Sequence, residues 1–120
     1  MSFPRVYRIS EEYKREISDI IRNDIKDPRI AEFTSVMSVE VTRDLKYAKV
    51  YISVLGDEKK RAETLEGLRS AAGFVRREMG KRVKLRYTPE IVFEPDNSIE
   101  HGIYISKLID EVNTSGDKQK

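Results

Sequence analysis

Apolar residues in the first part of the chain recur at Ile9, Tyr13, Ile17, Ile20, Ile21 and Ile25, at spacings of four, four, three, one and four. That places them on one face of an α-helix. The pattern predicts a helix over residues 10–26 whose isoleucine stripe packs in the core. Ser10 reads as its N-cap, with Glu11 and Glu12 in the first turn. Asp27-Pro28 reads as its stop, because a residue before proline is pushed out of the α region. The period then changes to two. Residues 34–42 are rich in β-branched side chains and roughly alternate, and residues 47–55 alternate cleanly, with Ala48, Val50, Ile52 and Val54 on one face. The short polar link between them predicts an antiparallel hairpin. Gly56-Asp57 breaks the strand and caps a second helix over residues 57–79, with Leu65, Leu68, Ala72, Val75 and Met79 three or four apart. A last strand lies between Pro89 and Pro95, at whose limits proline is tolerated. Residues 96–112 read as a further helical segment interrupted by Gly102, and residues 113–120 as a polar, disordered tail.

The length of 120 residues favours one domain, assigned here to residues 1–112. The chain has no cysteine. That removes thiol chemistry, zinc ribbons and a disulfide framework, and fits a reducing compartment. No apolar run approaches the length of a membrane span, and no signal-like segment opens the chain. The expectation is a cytoplasmic protein that needs no cofactor and no metal.

Charge changes the picture through its position. Residues 69–86 carry Arg69, Arg76, Arg77, Lys81, Arg82, Lys84 and Arg86 against one acid, Glu78. That window is +6 in a chain of net charge +2, and the remainder is acidic. A localised positive patch on a nearly neutral chain is the footprint of a polyanion binder. On a helical wheel Gly73 and Gly80 fall with Arg69 and Arg76, away from Leu68, Ala72, Val75 and Met79. A helical glycine costs roughly 1 kcal/mol relative to alanine, and on a solvent face core packing gives nothing back. It lets the helix bend, or it lets a phosphate backbone approach. Phe74 and Tyr87 offer rings for stacking on bases, but the expectation is that both pack in the fold. His101 stands near Asp96 and Glu100, which raises acid–base or metal chemistry. A single imidazole with no paired nucleophile and no metal-ligand spacing does not support it, and no nucleotide fingerprint is present.

The second half of the chain, "SAAGFVRREMGKRVKLRYTPEIVFEPDNSIEHG", resembles the ribosome-binding factor A family. The resemblance rests on Ala71-Ala72-Gly73, the basic stretch Gly80-Lys81-Arg82-Val83-Lys84-Leu85-Arg86, Pro89-Glu90-Ile91-Val92-Phe93 and Asp96-Asn97-Ser98. The segments "RVYRISEEYKREISDIIRNDIKDPRI" and "VTRDLKYAKVYISVLGD" extend it over residues 4–110. It implies an α+β, KH-like domain of type II topology, in which the GxxG loop of most KH domains is replaced by a helical kink shaped by Ala71 and Gly73. No two of the six glycines here fall three apart. It further implies a non-catalytic factor that binds the immature 30S subunit, aids 16S rRNA precursor processing and supports growth in the cold; a monomer is expected. The expected partner is the small ribosomal subunit, through 16S rRNA and its precursor, with no membrane involved. Phosphate contacts are expected from Arg69, Arg76, Arg77, Lys81, Arg82, Lys84 and Arg86.

Overall fold

The computed structural model describes residues 5–96. The elements run α1 (Arg5–Asn23), β1 (Thr34–Val41), β2 (Tyr47–Val54), α2 (Glu58–Ser70), α3 (Ala72–Arg82) and β3 (Glu90–Pro95). The strands form one sheet in the order β1-β2-β3. Strands β1 and β2 pair antiparallel, with a bulge between Val36 and Ser38, while β3 runs parallel to β2. A parallel neighbour needs a crossover, and α2 with α3 supplies it. Inward side chains of the strands (Val39, Val41, Ala48, Val50, Ile52, Ile91 and Phe93) meet Tyr13, Ile17, Ile20, Leu68, Val75 and Met79 in one core. This is the expected α+β architecture, in the expected order, and it is compatible with a type II KH-like domain.

Two expectations about α1 are corrected. The helix is already formed at Arg5, the first described residue, so Ser10 lies inside it and is not its cap. The apolar stripe also starts one turn earlier, at the partly buried Val6. Ser10 is buried instead, and its Oγ accepts the Val41 N–H at 3.0 Å. The reason lies in strand geometry. Thr42 N–H donates across the hairpin to Tyr47 O at 2.9 Å, so the preceding N–H points off the sheet edge, where burial demands a partner. The helix also ends at Asn23, before Asp27-Pro28. There the Asp24 and Ile25 N–H groups both donate to Ile20 O, at 2.8 and 3.2 Å, and unwind the last turn.

Strands β1 and β2 are joined by a braced turn. Leu45 N–H donates to Thr42 O at 2.9 Å. The Asp44 carboxylate accepts the Thr42 hydroxyl at 2.7 Å and the Lys46 N–H at 3.0 Å. These bonds, the Thr42 hydroxyl first, hold Asp44 below the usual carboxylate range. Leu45 has φ 60°, a left-handed conformation that is costly with a side chain. Its side chain packs against the core in return.

Asp57 caps α2 as expected, its carboxylate accepting the Lys60 N–H at 2.8 Å. The buried Thr64 hydroxyl ties α2 to the loop between α1 and β1 by accepting the Ala31 N–H at 3.0 Å. Gly67 allows that loop to lie against the helix, since a Cβ there would sit 3.0 Å from Ile30 Cγ1 and 3.3 Å from Arg29 Cβ. The helix expected over residues 57–79 is broken at Ala71, where φ is −91° and ψ is 0°, and it continues to Arg82. Ala71 N–H donates to both Gly67 O and Leu68 O, and Ala71 O accepts the Val75 N–H. The kink therefore turns on the first residue of the Ala-Ala-Gly stretch. The helical reading of residues 96–112 and the tail at 113–120 lie almost wholly outside the described residues.

Candidate nucleic-acid interface

The seven cations expected to contact phosphate fall into three groups. Arg69 and Arg76 lean on the strand side of the helix pair. Arg69 Nε donates to Phe93 O at 3.2 Å, and its Nη2 lies 3.6 Å from Glu94 Oε2. Arg76 Nε donates to Thr88 O at 3.1 Å. Arg77, Lys81, Lys84 and Arg86 are exposed. Lys81 Nζ pairs with Glu78 Oε2 at 3.2 Å, one turn away. Lys84 Nζ reaches only Gly80 O, at 3.4 Å. The Arg86 guanidinium lies 5.7 Å from the centroid of the Tyr87 ring.

Arg82 stands apart. Its Nη1 lies 2.7 Å from Asp19 Oδ2 and 3.3 Å from Glu16 Oε1, and its Nη2 lies 3.0 Å from Asp24 Oδ2. The side chain is only 25% exposed. Three carboxylates on or just after α1 thus seize the C-terminal end of α3. The Arg82 hydrogen bond holds Asp19 below the usual carboxylate range, and Asp19 in turn raises Arg82. The acids that neutralise this part of the run come from 58 to 66 residues away, so no local charge count reveals them.

Gly73 is exposed, as the wheel predicts. A Cβ there would meet only Arg77 Nη1, at an ordinary 3.6 Å. Gly80 differs from that expectation: a Cβ would lie 3.1 Å from Thr88 Oγ1, so this glycine lets the approach to β3 lie close to α3. Phe74 packs against the core as expected, but Tyr87 does not; it is 60% exposed. Its neighbour in space is a cavity of about 390 Å³ lined by Lys46, Tyr47, Arg76, Tyr87, Thr88 and Glu90, together with the turn residues Asp44 and Leu45. Sequence reading missed this cavity. The exposed Tyr47, at the first position of a strand and opposite Glu90, was the available signal. A larger cleft of about 720 Å³, between the end of α1 and β1, carries none of the seven cations.

Glu100 and His101 lie outside the described residues, so only Asp96 of that cluster is placed. Among the described residues no group of three or more His, Cys, Asp or Glu side chains could hold a metal ion. No described helix is long and apolar enough to cross a membrane.

A cationic, kinked helix pair across a three-stranded sheet defines a class of small α+β domains with an exposed positive flank. Within that class, the chain belongs to the ribosome-binding factor A family, whose sequence model matches residues 5–109. It is 62% identical over 116 residues to the ribosome-binding factor A of Acetivibrio thermocellus, covering 97% of this chain and 94% of the relative. A solution structure of a Thermotoga maritima protein assigned as ribosome binding factor A superposes with a TM-score of 0.69 at 34% identity, covering 82% of this chain and 96% of that one. A homology model of the Thermus thermophilus factor, fitted into a cryo-electron-microscopy map of its complex with the 30S subunit, shares the fold with a TM-score of 0.62 at 22% identity, covering 77% of this chain and 96% of that one.

Proposed function

We propose that this protein binds the small ribosomal subunit in the cytoplasm, engages 16S rRNA of free or immature 30S particles, and assists their late maturation, including precursor processing. The observation that carries this reading is family membership across nearly the whole described chain. The 30S complex of the Thermus relative supports the choice of partner. The physical support is the exposed flank of Arg77, Lys81, Lys84 and Arg86 beside α3.

The mechanism is non-catalytic. Binding one rRNA conformation more tightly than another shifts the population toward it, by no more than the difference in affinity. Phosphate contacts position such a factor without reading sequence. Arg77, Lys84 and Arg86 are the principal contacts, with Lys81, Arg69 and Arg76 adding to them. Arg82 holds α3 against α1 and contributes little to the RNA surface.

Binding to purified 30S subunits across a salt series tests this. About five or six phosphate contacts give a slope of log K on log salt of roughly −4 to −5. Reversing Arg77, Lys81 and Lys84 to Glu abolishes binding while the domain still unfolds cooperatively. Full binding by that folded variant would remove the proposed surface. Salt-independent binding would remove the phosphate mechanism.

A further inference from the structure

The cavity beside Tyr87 has features that a merely solvated crevice does not need. Tyr87 is 60% exposed and Tyr47 is 44% exposed. Two large aromatic side chains thus stand in water at one end of the sheet. The backbone around them is firmly held. Glu90 N–H donates to Lys46 O at 2.9 Å, the Thr42 hydroxyl accepts the Tyr47 N–H at 3.1 Å, and Arg76 Nε donates to Thr88 O at 3.1 Å. The walls are therefore pre-formed, as small-ligand sites usually are, and about 390 Å³ lies in their size range.

The polar groups say what kind of ligand fits. Arg76 offers its Nη donors, and Lys46 an ammonium whose charge also acts on Asp44. Asp44 and Glu90 place two carboxylates in the same lining. Asp44 is committed to Thr42 and Lys46, while the Glu90 carboxylate is exposed. A bare phosphate gains little beside two carboxylates. A flat, uncharged ring stacks on tyrosine, offers amino groups to Glu90 and accepts from Arg76. Its phosphate would lie outside, on the side where Arg86 sits against the Tyr87 ring.

We propose that the cavity of Tyr47, Tyr87 and Arg76 holds one unpaired nucleobase of RNA, with the attached phosphate on Arg86. The proposal deepens the rRNA-binding reading: the phosphate flank supplies affinity, and the cavity captures a base that has left its stack. Base–aromatic stacking contributes enough to be read as a fold-change in binding.

Two measurements on the full chain separate the outcomes. The first follows backbone amides by NMR while the four nucleoside 5′-monophosphates, and separately inorganic phosphate, are titrated in. Saturable shifts are expected at Lys46, Tyr47, Thr88 and Glu90 with nucleotides but not with phosphate, and they vanish in Tyr87→Ala. Equal shifts with phosphate alone, or none with any nucleotide, overturn the proposal. The second is 30S binding. Tyr87→Ala weakens it by roughly 5- to 100-fold with an unchanged salt slope, and Tyr87→Phe restores it. Unchanged binding by a folded Tyr87→Ala, alongside loss in the charge-reversal variant, overturns the cavity and leaves the rRNA reading intact. If the wild type does not bind 30S subunits, the rRNA reading fails, and the nucleotide titration alone decides the cavity.

Discussion

Replacing Gly73 with alanine separates what the fold requires of this helix from what a partner requires. The added Cβ would meet one atom, Arg77 Nη1 at 3.6 Å, at the end of a flexible exposed side chain. No clash follows. The kink turns on Ala71, not on Gly73, and Gly73 has no positive φ. The remaining effect is helix propensity, worth up to about 1 kcal/mol in favour of alanine and less at the second position of a helix. The expected result is a stabilisation of about 0.3–1 kcal/mol, or about 2–6 °C in Tm. Gly67→Ala is the control: its Cβ would lie 3.0 Å from Ile30 Cγ1 and 3.3 Å from Asp27 Oδ2. Overpacking of that kind costs about 1–3 kcal/mol. Urea and thermal unfolding measure both variants. A Gly73→Ala protein that melts below wild type, as Gly67→Ala should, would refute the reasoning and return Gly73 to the kink. If instead it melts higher but binds 30S subunits less tightly, the glycine leaves room for something approaching from outside.

Three further expectations follow from other parts of the core and its rim. The Tyr13 hydroxyl is buried with no hydrogen-bond partner among the described residues, and burial pushes its pKa from 10.0 up to about 12. Folding thus favours the neutral phenol, so its contribution is whole below pH 10 and is lost as pH rises through 12. Tyr13→Phe should match or exceed wild-type stability by up to about 1 kcal/mol at pH 7 and lose less stability between pH 10 and 12; a clear loss at pH 7 in urea unfolding counts against this. Arg82→Met should destabilise at pH 7 by leaving Glu16, Asp19 and Asp24 facing one another. Asp19 has a lowered pKa, so the pairing acts above its ordinary value and fades on acidification. The gap between variant and wild type should narrow by pH 3, and the salt slope of 30S binding should stay unchanged; a shallower slope would make Arg82 a phosphate contact after all. Ser10→Ala should cost about 1–3 kcal/mol by leaving the buried Val41 N–H unpaired, and near-neutral unfolding data would show that another acceptor replaces it.

The elements were legible where one face of the chain meets the core, because burial imposes a period. Ile17, Ile20, Ala48, Val50 and Ile52 announce their faces, and all are buried. Helix ends were less legible. Ser10 has the chemistry of an N-cap, but its hydroxyl serves a strand 31 residues away. The candidate site was legible as a density of positive charge and illegible as a surface. Sequence spacing places Arg77 and Arg82 in one run, yet among the described residues folding brings three acids to Arg82 and none to Arg77. Tyr87 read as a core aromatic by composition. Only the turn at Thr42–Tyr47, folded beside it, shows that it stands at the rim of a cavity.

The two edge strands are each closed by a helical side chain: Ser10 takes the Val41 N–H on β1, and Arg69 takes the Phe93 carbonyl on β3. The bulge at Met37 further disturbs the rim of β1. A free edge is a template on which another chain can add a strand, in assembly or in aggregation. Here that template is interrupted at both edges of the described three-stranded sheet. A partner is then met more readily by side chains projecting from the helices and turns than by an added strand.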